Sequence, residues 1–599
     1  MTSQTFAGER SDIRLIVYAL ALICPPLLAY NRTPSATQLN ELVSVLGWGL
    51  CLLAANAVPP GGARRGATLV LTLALAVMSV AVVASWTIGS LPTSLALPPL
   101  LSLVAACFVA ALGARVAQGG DRDGLQAFAP FAFGVLAIGL ISAVIAAIQV
   151  YAPKLADGVV IAQTAIAGRA VGNLRQSNHL ASVLLWAAIA LVPLVEWGRV
   201  PRWLGGLLLA ALMWAVFLSG SRTGLFAGAG VLALWGLVDG RLSRGTRIAL
   251  GLTLVFPLWA ECLPWLSAHL PFMPQAVGAA GRVAEGDSSH FAIWRNTLAM
   301  IRQQPWLGVG WGEFNFAWTL TPFPNRPIAF FDHTHDLPLQ LIVELGFPLA
   351  LLVLGLMTWA LVQGLRRAWA TQGSAGHGAR AAWVMVAMIG IHSLDEYPLW
   401  YIYFLLPAAW AWGFTLGSGP APKPAGQPTL SGVVGGRPVD PGKLVRLGSE
   451  GSGLRWVGAA MVVIALLSTW DYWRVSMIFV DDAGLAPLPD RIAAGQTSPL
   501  FAHHADYADA TTSDPPSKAL GALERATHSL LDSRLMMAWA TALAESGQTE
   551  RARYLVARLK EFRKADTEEF FAPCADAALA VKPFQCGTEP TGLTWRDFH

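Results

Sequence analysis

Two histidines and two aspartates fall together at Asp332-His333-Thr334-His335-Asp336, directly ahead of an apolar run that opens Leu337-Pro338 and carries Glu344. A histidine in such a setting can take a proton from a hydroxyl, hold a substrate, or enter a metal site. Asp336 is of the right type to cap a helix, and Pro338 fits the first turn. His335 would then stand at the positive end of a helix dipole, which favours a neutral ring able to accept a proton. The same end attracts anions. His-x-His is a weak metal signature with no further ligand at a fixed spacing, so no metal is expected. Purely structural or capping histidines are the plainer alternative.

Cations and amides recur at other junctions of polar and apolar sequence. Arg222 stands in Ser219-Gly220-Ser221-Arg222-Thr223-Gly224, between two apolar runs. An arginine at that depth needs a partner or a function, and a guanidinium forks onto phosphate oxygens. The segment Arg175-Gln176-Ser177-Asn178-His179 offers groups that could bond sugar hydroxyls or a phosphate. The plainer reading is helix capping by Ser177 or Asn178. Residues 290–304 carry a helical pattern, with Phe291, Trp294, Leu298 and Ile301 on one face and Arg295 on the flank. Asp395 and Glu396 follow a later apolar run and could neutralise Arg222 or Arg295.

The elements that must position these groups are membrane helices. The chain has 599 residues, of which 54% are hydrophobic and only 13% charged, and its mean hydropathy is +0.51. A soluble core cannot bury so much apolar surface with so few charges. Apolar runs of spanning length fall at 13–30, 39–58, 67–87, 92–113, 128–151, 178–197, 202–219, 222–239, 246–266, 336–363, 380–395, 398–417 and 455–471. The pair 202–239 could be one broken element, and 380–395 is short. About thirteen spans with a cytoplasmic N-terminus put arginines or lysines in every inside loop, as the positive-inside rule requires. No cleavable signal is evident. The expected fold is an all-α polytopic membrane protein.

On that topology the outside segments are 152–177, 267–335 and 472–599. The expected divisions are a transmembrane core over 1–417, a cytoplasmic Gly/Pro-rich linker over 418–454, a last span at 455–471, and a soluble helical domain over 472–599. Residues 537–562 read as a helix–turn–helix with a tetratricopeptide-like pattern. Cys574 and Cys586 could pair if that domain faces an oxidising compartment.

Four stretches occur in order: Arg175 to Ala181, Ser219 to Gly224, Trp294-Arg295 with the glycine turn Pro305 to Phe314, and His335-Asp336-Leu337 through Glu344-Leu345-Gly346. Together they resemble the O-antigen ligase superfamily, most closely the bacterial protein O-oligosaccharyltransferases of the pilin-glycosylation type. The resemblance covers roughly residues 10–417. It implies a glycosyltransferase-C-like enzyme of the bacterial inner membrane with its site on the periplasmic side. The implied reaction moves a glycan en bloc from an undecaprenyl-diphosphate carrier to Ser or Thr hydroxyls of periplasmic or pilin proteins, with inversion and without a cofactor. His335, Arg222 and Arg295 fall on the family's catalytic positions. Arg175, Gln176, Asn178, His333, Asp336 and Glu344 are the expected substrate-binding residues. The residue after the family histidine is often Asn, and here it is Asp336, whose carboxylate could raise the histidine's pKa against the helix dipole. Alternatives are an O-antigen ligase acting on lipid A–core, an O-antigen polymerase, or a transporter of the same lipid-linked glycan.

Overall fold

The computed structural model describes residues 17–55, 66–119, 125–269, 289–419, 441–482 and 484–599. Among them the chain is all-helical, with one isolated bridge between Arg32 and Ser35 and no strand. Seven described helices are long and apolar enough to cross a membrane: Leu69–Thr87, Thr93–Gln118, Phe128–Tyr151, Ser177–Glu196, Arg202–Ser219, Leu337–Ala370 and Gly453–Phe479. Shorter apolar helices at Val17–Leu27, Gln38–Leu53, Arg222–Val238 and Ile402–Gly417, and the 20-residue helix Gly373–His392, pack with them around one core. Trp48, Leu184, Leu212, Met385 and Trp410 are at its centre. The molecule is a multi-pass membrane protein.

Where the sequence left 202–239 open, Gly220 decides the matter. Its φ of +61 ends the first helix, and Ser221 caps the second by accepting from the Gly224 N–H. The expected span 246–266 is two helices, Arg244–Leu252 and Val255–His269, neither of full spanning length. The first is amphipathic and runs back along its predecessor, with the Thr253 hydroxyl donating to the Ala229 carbonyl. Residues 420–440 of the expected linker lie outside the described residues, and from Pro441 the chain is helical, continuous with the last apolar helix.

One end of these helices is locked by a buried ion pair. Arg380 Nε lies 2.6 Å from Asp239 Oδ2, both about 1% exposed. Asp239 also accepts from the Trp235 indole. Nearby, Glu196 accepts from the hydroxyls of Ser243 and Thr246. Loss of either partner of such a buried pair strands an uncompensated charge, so the lock fixes how the helices are registered.

At the other end, the loop and the tail share a second core. Ile293, Phe314, Phe316, Trp318 and Phe331 from the loop pack with Leu535, Trp539, Leu555, Leu559 and Phe562 from the tail helices Ser533–Glu545 and Thr549–Glu561. Polar ties reinforce it. Arg326 donates to Glu561 at 2.8 Å, His528 pairs with Glu313 at 2.7 Å, and the Tyr554 hydroxyl donates to the Leu320 carbonyl. Cys574 and Cys586 are joined by a disulfide within the tail.

Candidate active site

The polar stretch around His335 is pinned on both sides. The Thr334 N–H donates to the Gln340 side chain at 2.8 Å, and the Thr334 carbonyl accepts from the Trp294 indole at 2.9 Å. Asp336 caps the next helix by accepting from the Leu339 N–H at 2.7 Å. Between these anchors His335 takes a φ of +57, a left-handed conformation that a non-glycine residue adopts at a cost. Arg175 does the same at φ +56. Strain of this kind persists only where the surroundings over-determine it.

The His335 ring is held by a carboxylate, and it is not the neighbouring one. Its Nδ1 lies 2.8 Å from Glu396 Oε2, while Glu396 Oε1 accepts from the Asn178 amide at 2.5 Å. Asp336, open in the sequence between cap and tuner, caps the helix, and the ring's hydrogen-bond partner is Glu396. Burial raises the Asp336 carboxyl more than the Leu339 N–H lowers it. With Nδ1–H donated to Glu396, the lone pair of Nε2 is left to accept a proton.

A second histidine lies beside the first. The His290 ring stacks on His335 with centroids 4.7 Å apart and an interplanar angle of 24°. His290 Nδ1 faces Asp395 at 3.2 Å, and Asp395 also accepts from the Thr223 hydroxyl. Burial pushes the Asp395 carboxyl up, but the bonds from His290 and Thr223 hold it below the usual range. Asp395 and Glu396, read above as partners for arginines, thus serve the two histidines. Donor atoms of His290, His335 and Glu396 lie within 4.8 Å of one another, near enough to share a metal ion. His333, the other histidine of the sequence motif, points elsewhere: it stacks on Tyr397 at 4.4 Å and faces Asp332 at 3.3 Å.

The arginine motifs converge on the same region. Arg222 opens its helix beside Thr223, and thus beside Asp395. Arg169 donates to the Ser219 carbonyl and the Ser177 hydroxyl, and the Ala170 N–H bonds the Leu218 carbonyl. These contacts tie the Arg175 segment to the turn before Arg222. Gln176, not Ser177 or Asn178, caps the following helix by accepting from the His179 N–H. Asn178 is thereby free to bond Glu396. Arg295 is exposed on the helix Ser289–Gln303, next to the Trp294 anchor. That helix forms as expected but turned: Ile293, Thr297, Met300 and Ile301 are buried, while Phe291 and Leu298 are exposed.

Glu344 lies at a break in the helix below. Gly346 has φ +72, and the backbone there leaves helical geometry. The glycine turn 305–310 fills the gap: Val309 and Gly310 N–H groups bond the Val343 and Glu344 carbonyls, and Phe347 N–H bonds the Pro305 carbonyl. A side chain at Gly346 or Gly308 would collide with the opposing backbone. The Glu344 carboxylate is buried and accepts from Gln340 at 2.9 Å, so it props Gln340 and through it Thr334.

Residues 206–354 match the family model described as O-antigen ligase. The chain carries an O-antigen ligase domain. His335, Arg222, Arg295 and Glu344 lie within it. Residues 170–194, with Arg175, Gln176 and Asn178, match a model described as protein glycosylation ligase. Residues 380–570, which include Glu396 and most of the tail, match the C-terminal part of a virulence factor membrane-bound polymerase. Among curated proteins the chain is 26% identical over 309 residues to a general O-oligosaccharyltransferase of Acinetobacter baylyi, covering 50% of this chain and 51% of that protein. It is 25% identical over 248 residues to a ComP-specific O-oligosaccharyltransferase of the same organism, covering 41% and 44%. The chain thus matches about half of the length of these relatives. Around the O-antigen ligase domain, His290 and Tyr397 are site neighbours that the motifs alone did not single out.

Proposed function

We propose that the protein is a protein O-oligosaccharyltransferase, which moves a glycan from a polyprenyl-diphosphate carrier to a Ser or Thr hydroxyl. The observation that carries this reading is the Asn178–Glu396–His335 chain, which presents one imidazole nitrogen as a base beside an arginine-bearing helix start. The names of the relatives support the reaction class. The acceptor hydroxyl attacks the anomeric carbon, and its proton passes to His335 Nε2. The bond from that carbon to the diphosphate oxygen breaks, with inversion. Arg222 and Arg295 stabilise the charge gathering on the departing diphosphate. Arg175, Gln176 and Asn178 would hold the donor's polar head, with Gln176 and Asn178 acting through the segment they order.

The site would face the periplasm from the inner membrane. The basic inside loops support this orientation, as does the disulfide in the tail, a bond that persists in oxidising compartments. The match to an O-antigen ligase model favours one alternative, in which the acceptor is a lipid A–core sugar. Co-expression with a lipid-linked glycan pathway and a candidate pilin separates the two. The expected result is an acceptor heavier by one glycan with the wild type and unmodified with His335→Ala, read by intact mass. An unmodified pilin alongside newly capped lipopolysaccharide would replace this reading with the ligase.

A further inference from the structure

Three donors converge at the proposed base. A nitrogen of His290, a nitrogen of His335 and an oxygen of Glu396 lie within 4.8 Å of one another. Among the described residues this is the one such grouping of three. The pairs His528–Glu313 and His333–Asp332 bring no third donor to the same distance among those residues. Ligands about 2.0–2.1 Å from a tetrahedral zinc stand about 3.3 Å apart. His335 Nδ1 and Glu396 Oε2 are already at 2.8 Å, and rotation of side chains brings in the third donor.

These donors are held as metal ligands are held. Asn178 bonds the far oxygen of Glu396, and Asp395, itself bonded by Thr223, faces His290. Outer partners of this kind orient ligands and raise affinity for an ion. Asp395 and Glu396 also set two carboxylates against the charge of a dication. The rings stay reachable from solvent: the His290 and His335 side chains are 18% and 16% exposed. Two imidazoles with a carboxylate suit zinc, whereas magnesium and calcium take oxygen ligands.

Such an ion excludes the base from the reaction. On Nε2 of His335 it takes the lone pair that would receive the acceptor's proton. On Nδ1 it moves that nitrogen's proton to Nε2, so the ring stays neutral but presents an N–H where it presented a lone pair. Resting on the transferase reading above, we propose that His290, His335 and Glu396 form a zinc site whose occupation switches transfer off. Zinc is here a reversible inhibitor, held by the same carboxylate that orients the base.

The test uses the full chain in detergent, stripped of metal. Zinc alone is titrated against a chromophoric chelator, with no donor or acceptor present. One zinc per chain should bind, and His290→Ala and Glu396→Gln should each weaken it by about tenfold or more. His333→Ala should leave it unchanged. Glycan transfer should run with a chelator present, fall as zinc is added and return when zinc is removed. In His290→Ala the zinc needed to halve that variant's own rate should rise by about tenfold or more. Zinc that binds the wild type no more tightly than either variant, or that is lost with His333→Ala alone, overturns the site. Transfer abolished by the chelator and restored by zinc overturns the inhibitory role, because the ion would then serve the reaction. Zinc bound at these residues in a protein that moves glycan to no acceptor defeats the transferase reading and with it the switch, while the site stands.

Discussion

His335 Nδ1 lies 2.8 Å from Glu396 Oε2, across 61 residues of sequence and the two helices Leu337–Ala370 and Gly373–His392. The carboxylate fixes the tautomer and aim of the ring. Glu396→Gln can turn its amide N–H toward Nδ1 and leave the proton on the wrong nitrogen. That change should lower kcat at least about 100-fold with little change in KM for either substrate. A kcat within threefold of wild type would remove Glu396 from the mechanism.

Arg222→Ala and Arg295→Ala should each lower kcat by about 100- to 1,000-fold, the usual cost of losing one electrostatic donor at a developing anion. Lysine at either position should recover only part of this, since it keeps the charge but not the fork. Two-substrate kinetics distinguish the roles. If only the donor KM rises, the arginines bind the ground state and do not favour the transition state.

Burial pushes the Asp332 carboxyl up, yet the neighbouring His333 and His335 pull it down to about 2. A depressed carboxyl stabilises the fold fully above its unfolded value near 3.9, and that contribution is lost as pH falls toward 2. Asp332 therefore stays ionised across the working range. Asp332→Asn should leave the limbs of the pH–rate profile between pH 5 and 8 where they are, while lowering the melting temperature above pH 4. A shifted acid limb would mean that Asp332 titrates with the reaction.

Trp539 is 1% exposed in the core shared by loop and tail. Trp539→Ala should cost about 3–5 kcal/mol of stability in that unit. Limited proteolysis should show cleavage of the loop rising with cleavage of the tail. Cleavage confined to the tail would show that the loop stands without it.

Gly346→Ala asks an alanine to adopt φ +72 against the Trp306 carbonyl. Strain alone costs about 1–3 kcal/mol, and the collision adds to it by pushing the glycine turn off the helix break. Activity should fall together with thermal stability. A variant of wild-type stability and activity would mean that the break is not held by the turn.

Much of this was legible beforehand because it is local. The Asp336 cap and the apolar runs are written in adjacent residues, whereas the cap of the helix at 177, read as Ser177 or Asn178, falls on Gln176. The partner of His335 was not, because Glu396 meets it only after two helices have folded back, and nearby Asp336 offered a cheaper candidate. Nothing in a histidine or arginine announces a positive φ, so the strain at His335 and Arg175 was invisible. The loop helix was recognised but rotated, because Asn296 and Thr297 are buried with Ile293 while Phe291 and Leu298 face out. The rule that apolar residues point inward fails beside apolar surroundings. The span 246–266 misled in the opposite way, since its composition is continuous and only the turn near Thr253 divides it.

The shared core of loop and tail also sets an order of birth. Roughly 220 residues separate Trp318 from Trp539, which takes the ribosome about 10–45 s at ordinary rates of synthesis. Through that interval the loop that carries His335 has already been made but lacks half of its packing. Newly inserted chains should therefore stay silent until the tail has been delivered to the same side of the membrane, and a stalled or prematurely terminated product would be inert rather than wrongly active.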